Sequence, residues 1–162
     1  MKREPVDSAS VGSPPKKIEK ETQTIRFVIY GLEERPEVGG EYIASPILRA
    51  RGYLWEIRVY PKGHTETEGE HVGCFLYYAG SDKLSPAAVT FAIRCKQKIQ
   101  VWNMKTFQKH TLGWGCNKFI HTSLVRNNYL ERDGSLVIEA DIWIATDSKR
   151  AWYPKELQRD ET

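Results

Sequence analysis

The stretch Tyr53-Leu54-Trp55-Glu56-Ile57-Arg58-Val59-Tyr60, closed by Pro61-Lys62-Gly63, decides the fold class. Trp55, Ile57 and Val59 fall on one side of a two-residue period, and Glu56 and Arg58 fall on the other. Successive side chains of a strand point to opposite faces, so this pattern predicts a half-buried β-strand with the indole inward. Pro61 and Gly63 then stop it, because proline brings no N–H to a ladder and glycine admits turn geometries.

The same reading recurs on both sides. Residues 25–30 are β-branched and aromatic and end at Gly31. Residues 72–78 put Val72, Cys74 and Leu76 on one face and Phe75 and Tyr77 on the other. Residues 89–95 alternate again, Gln100-Val101-Trp102 opens a further strand, and residues 136–144 hold Ile138, Ala140, Ile142 and Ile144 in phase. Trp143 is out of phase, so it covers the far face or packs under a loop. Turn residues separate these runs at Gly39-Gly40, Gly80-Ser81-Asp82, Pro86 and Asp133-Gly134. A short helical turn is expected around Thr122-Ser123-Leu124-Val125, capped by Thr122 or Ser123. Strands without crossover helices pair antiparallel, which predicts a sandwich or barrel.

Composition narrows the class. The chain has 162 residues, enough for one domain with an appendage, and 40% apolar with 28% charged side chains suits a soluble globular protein. Apolar runs stay far short of the roughly 18 residues of a membrane helix, so no membrane role is expected. The N-terminus has charge but no apolar segment of the kind a secretory signal needs. Cys74, Cys95 and Cys116 are odd in number and form no CxxC, which points to reduced thiols in the cytoplasm or nucleus. A net charge of +3, with Lys and Arg mixed among Asp and Glu, gives no support to nucleic-acid binding. Residues 1–22 are polar and punctuated by Pro5, Pro14 and Pro15, so they are read as a disordered arm. Pro14-Pro15-Lys16-Lys17 is a weak nuclear-import pattern and is read as solvated linker. Residues 23–147 form the expected domain, and 148–162 a charged linker or tail.

Catalytic and metal chemistry find little footing. His64, His71, His110 and His121 show no ligand spacing, and the cysteines lie far apart in sequence, so neither a metal nor a cofactor is expected. Cys116 has His110 and His121 nearby, but no third group orients such a dyad, and a free cysteine is usually a small hydrophobe. Gly39-Gly40 matches no phosphate-binding loop. The chain is therefore read as non-catalytic.

Aromatic residues carry the functional reading. Gly113-Trp114-Gly115-Cys116-Asn117-Lys118-Phe119-Ile120 sets an indole between glycines, which predicts a loop, bulge or edge with the ring free to line a groove. Trp55 is core by phase. Phe75, Tyr77, Phe107 and Trp114 either close the second layer of a sandwich or line a groove beside an exposed strand edge. An extended peptide would add main-chain hydrogen bonds at such an edge. The rival reading is a carbohydrate-binding β-sandwich whose exposed aromatics stack on sugar rings.

Five segments together resemble the MATH (TRAF-like) domain family. Trp55 to Gly63 is similar to its W-x-I-x-V-x-P-x-G signature, and Ser45-Pro46 falls where the family has S-P-x-F. Val72-Gly73-Cys74-Phe75-Leu76 resembles the next strand, residues 113–120 the D-W-G-F-x-x-F element, and residues 134–142 the closing strand. The resemblance implies an all-β, eight-stranded antiparallel sandwich that binds short, extended, often Ser-rich peptides. It also implies a non-catalytic adaptor, one that recruits substrates to a cullin-based ubiquitin ligase where a BTB domain follows. No BTB sequence lies in this chain, and no coiled-coil heptads do. Carried over position by position, the implied groove is Phe75, Val89, Phe107, Gly113, Trp114, Gly115 and Cys116. Gly113 stands where Asp is common, Cys116 where Phe is common and Val89 where Phe is frequent, so a different peptide specificity is expected.

Overall fold

The computed structural model describes residues 22–65, 69–81, 86–109 and 113–144. The expected N-terminal arm up to residue 21, the tail over 148–162 and His110 lie outside the described residues. Nine strands form among the described residues: β1 (Gln23–Ile29), β2 (Ile43–Ala44), β3 (Leu48–Ala50), β4 (Tyr53–Tyr60), β5 (His71–Tyr78), β6 (Val89–Cys95), β7 (Lys98–Lys105), β8 (Gly113–His121) and β9 (Leu136–Ile144). One sheet runs β1-β9-β6-β7, and the other β2-β4-β5-β8 with β3 also on β4. All pairings are antiparallel. The expected eight positions hold nine strands because β2 and β3 share one edge of β4: Ile43 lies opposite Val59, and Leu48 opposite Trp55.

Ser45 explains that break. Its amide donates to the Ile57 carbonyl (2.8 Å), and its hydroxyl accepts from the Ile57 amide (2.9 Å) while donating to the Pro46 carbonyl (2.8 Å). A buried serine thus replaces ladder bonds at the point where Pro46 cannot donate.

The expected alternation places the core. Trp55, Ile57 and Val59 of β4 and Val72, Cys74 and Leu76 of β5 are buried, facing Phe91 and Ile93 of β6 and Ile138, Ala140, Ile142 and Ile144 of β9. The Trp55 indole N–H donates to the Ala50 carbonyl (2.9 Å), so the buried ring leaves no orphan donor. Trp143 sits half-buried opposite Thr90 on the outer face of the first sheet. The helical turn is present over Thr122–Leu124 and widens into a π-type turn over Val125–Tyr129. Its cap differs from expectation: the His121 ring Nδ1 accepts from the Ser123 amide (3.2 Å). Thr122 instead bonds the Glu70 carbonyl through both amide and hydroxyl, tying the turn to the start of β5.

Candidate functional site

β8 ends its sheet. It pairs with β5 alone, and among the described residues no strand covers its other edge. Of the loop, bulge or edge expected over residues 113–120, the segment is an end strand and also carries a bulge. Val72 lies opposite Ile120 and Cys74 opposite Cys116, so β8 advances four residues while β5 advances two. A bulge at an edge re-aims side chains and disturbs the ladder locally.

The two glycines around Trp114 answer to the neighbouring strand. Phe75 faces Gly115 and Tyr77 faces Gly113 on the outer face of the sheet. A Cβ at position 113 would lie 2.6 Å from the Tyr77 ring, and one at 115 would lie 2.5 Å from the Phe75 Cα. Gly113 therefore makes room for Tyr77 where the resemblance has Asp. Tyr77 in turn lies under Arg58, whose guanidinium is 3.8 Å from that ring centroid and 4.6 Å from the Tyr42 ring. Glu56 holds the same guanidinium at 2.6 Å. Tyr60 and His64 close around Phe75, with ring centroids at 5.6 and 5.0 Å, and burial pushes the Tyr60 hydroxyl above its usual pKa.

Trp114 and Cys116 turn the other way. They lie opposite Leu76 and Cys74, on the core side. The sequence expectation of a ring free at the surface is corrected: Trp114 is half-buried against the core, and its indole N–H donates to the Thr106 carbonyl (2.8 Å). It fills the seam where the end strand of one sheet, β8, meets the end strand of the other, β7.

Val89 and Phe107 are corrected more strongly, since each is 0% exposed. Phe107 packs on Trp55 (5.1 Å) and Phe91 (5.7 Å) in the core and offers no surface. Val89 pairs with Lys105. It is Lys105, missed in the sequence because a strand-end lysine reads as solvated, that lies at the rim, its ammonium 4.5 Å from the Trp114 ring centroid. The Val89–Lys105 rung is flanked by strain. Four described non-glycine residues have positive φ; Arg51 and Lys96 sit in two-residue hairpin turns that call for it. Ala88 (φ 59°) and Met104 (φ 53°) have no such turn, and they immediately precede Val89 and Lys105. Met104 sits at the β6–β7 register shift, its amide held by the Thr90 hydroxyl (3.2 Å). A single-residue signal for such a bulge is absent from the sequence.

The thiols do not assemble a nucleophile. Burial pushes Cys74 well up and Cys95 up to about 12, which keeps both protonated. Cys116 is half-exposed, and His121, the described half of the suggested dyad, caps the helical turn and stacks edge-on against His71 (4.9 Å). No group of three or more His, Cys, Asp or Glu among the described residues is arranged to hold a metal ion. No described helix is long and apolar enough to cross a membrane.

The sequence model of the MATH domain matches residues 24–142. The chain belongs to the MATH domain family. MATH domains are typically non-catalytic protein-interaction modules, and the two-sheet architecture agrees with that of a related solved structure. That structure is TRAF5 from Notothenia coriiceps, with a TM-score of 0.54 at 14% identity, covering 74% of this chain and 72% of that one. In sequence this MATH domain is 26% identical over 147 residues to TNF receptor-associated factor homolog 1a of Arabidopsis thaliana, covering 85% of the chain. It is 28% identical over 118 residues to homolog 1b of the same plant, covering 62%. It spans only 13% and 10% of the length of these curated relatives.

Proposed function

We propose that this MATH domain is an adaptor that reads short extended segments of partner proteins along the free edge of β8. The observation that carries the reading is that β8 is an end strand with its outer edge unpaired among the described residues. An edge of this kind offers a row of N–H and C=O groups that an extended chain satisfies by adding as a further strand. Half-buried Trp114 and Cys116 on one side of β8, and Phe75 and Tyr77 on the other, flank that row with alternate pockets. Val89 and Phe107 support the site from beneath and make no direct contact with the peptide. Short serine side chains suit such an edge, because they add hydrogen bonds without needing deep pockets. In this reading the parent protein delivers what it binds to a cullin-based ubiquitin ligase through a BTB domain outside this chain.

Titration with extended Ser-containing peptides, followed by Trp emission, tests the binding half. A saturable change that is lost in Trp114→Ala is expected; a response to soluble glycans with none to peptides overturns the reading. For the ligase half, a BTB domain encoded after Thr162 in the parent gene is the expected finding, and a parent gene without one removes it.

A further inference from the structure

The whole-chain charge of +3 conceals a segregation. Between Asp82 and Glu131 the sequence contains no Asp or Glu but eight of the 24 Lys and Arg. Taking those eight away leaves sixteen basic against 21 acidic side chains in the rest of the chain. This acid-free block builds β6, β7, β8 and the helical turn, and so supplies both end strands that meet at the Trp114 seam.

Three of the block's seven described cations are neutralised by carboxylates outside it. Arg94 pairs with Asp141 (2.6 Å) and Glu139 (3.0 Å), Lys96 with Glu131 (3.6 Å) and Arg126 with Glu33 (3.0 Å). Lys98, Lys105, Lys109 and Lys118 meet no carboxylate among the described residues, and all four lie on β7, on β8 or on the connection between them. Two of them bridge the seam. Lys98 reaches from β7 to the Phe119 ring of β8 (5.9 Å), and Lys105 reaches from β7 to the Trp114 ring (4.5 Å). At about 3.3 Å per residue these two ammonium groups stand roughly 20 Å apart along β7, the span of an extended segment of about six residues.

We infer that the β7–β8 seam selects extended segments rich in Asp and Glu, with Lys105 and Lys98 as the residues that set this preference. The inference rests on the edge-binding reading of β8 and adds the charge class of what binds there. Unpaired lysines facing no local acid attract a carboxylate at short range and steer its approach. A protein segment fits better than a nucleic acid because the free edge asks for backbone N–H and C=O partners, which a phosphodiester chain lacks.

Fluorescence anisotropy on the full chain tests it, with three labelled extended peptides identical except for Ser, Asp or Lys at alternate positions. The Asp peptide is expected to bind roughly tenfold tighter than the Ser peptide at low salt, with the gap narrowing as ionic strength rises past about 0.15 M. The Lys98→Glu, Lys105→Glu double variant is expected to invert the order, while Lys62→Glu, outside the seam, leaves it unchanged. Equal binding of the Ser and Asp peptides to the wild-type chain, or an order that survives the double reversal, overturns the charge preference and leaves edge binding standing. Failure of all three peptides to bind overturns edge binding itself. Displacement of the Asp peptide by a single-stranded oligonucleotide at about 0.15 M salt assigns the seam to nucleic acid and also overturns the inference.

Discussion

Phe75 and Gly115 face each other across β5 and β8, and the Phe75 side chain occupies the space that a side chain on Gly115 would take. The nearest obstacles to a Cβ at 115 include backbone atoms of β5, which cannot rotate away. At Gly113 the obstacle is the Tyr77 ring, which can. Gly115→Ala is therefore expected to lower stability by about 2 kcal/mol, with Gly113→Ala nearer 1 kcal/mol. Gly69→Ala, with nothing within 4 Å of its Cβ and no left-handed backbone to strain, is expected to change little. Urea midpoints at unchanged m-value are the measurement; a Gly115→Ala midpoint equal to that of Gly69→Ala contradicts the packing described for this rung.

Asp141 makes acid the weak side of the first sheet. The hydrogen bond from Arg94, the largest effect, holds its carboxyl below the usual range against the opposing effect of burial, with a lesser hydrogen bond from Thr24 helping. Because the folded pKa is the lower one, the unfolded chain takes up the proton first as pH falls below about 3.9. The contribution is thus fully present above that pH and is lost as pH drops through the folded value. For this partly exposed pair it amounts to about 0.5 kcal/mol. In Asp141→Asn, denaturation midpoints measured from pH 7 to 3 are expected to fall less steeply than in the wild type. Parallel acid limbs in the two proteins contradict the assignment.

The three cysteines are expected to separate by reactivity. Cys74 and Cys95 are buried with raised pKa values, while Cys116 is half-exposed at the seam. Native labelling with a thiol reagent near pH 8 should modify Cys116 alone, and the other two should react only on unfolding. Bound peptide over the seam should slow the Cys116 reaction several-fold, in proportion to occupancy. Peptide mapping by mass spectrometry reads the site; fast native labelling of Cys74 contradicts its burial.

Much of the fold was legible because it lies in period-two alternation. Trp55, Ile57 and Val59 announced their inward face, and Ile138 to Ile144 did the same for β9. The site was legible only where a local signal existed. Gly-Trp-Gly points to a loop, bulge or edge. It lies in register on an end strand whose bulge comes after it, between Cys116 and Ile120, and the alternation turns Trp114 toward the core, which the glycines alone do not reveal. Phe107 and Val89 carry over as groove walls from the family resemblance, and neither that nor strand phase tells which side of a strand end is closed by another sheet. Lys105 went unnoticed since its importance comes from a rung opposite Val89 and from the Trp114 ring on another strand, and a lysine by itself carries no such address. The acid-free block was present in the sequence, yet the net charge of the whole chain averaged it out.

Hydrogen exchange on β8 tests the central claim most directly. The amides of β8 that point away from β5 have no strand partner among the described residues, so in the free protein they should exchange faster than their inward neighbours. On saturation with an extended acidic peptide, protection is expected to appear at those outward amides along Gly113–His121, with little change at the opposite edge formed by β2 and β3. Saturable binding that leaves the outward β8 amides unprotected contradicts the account.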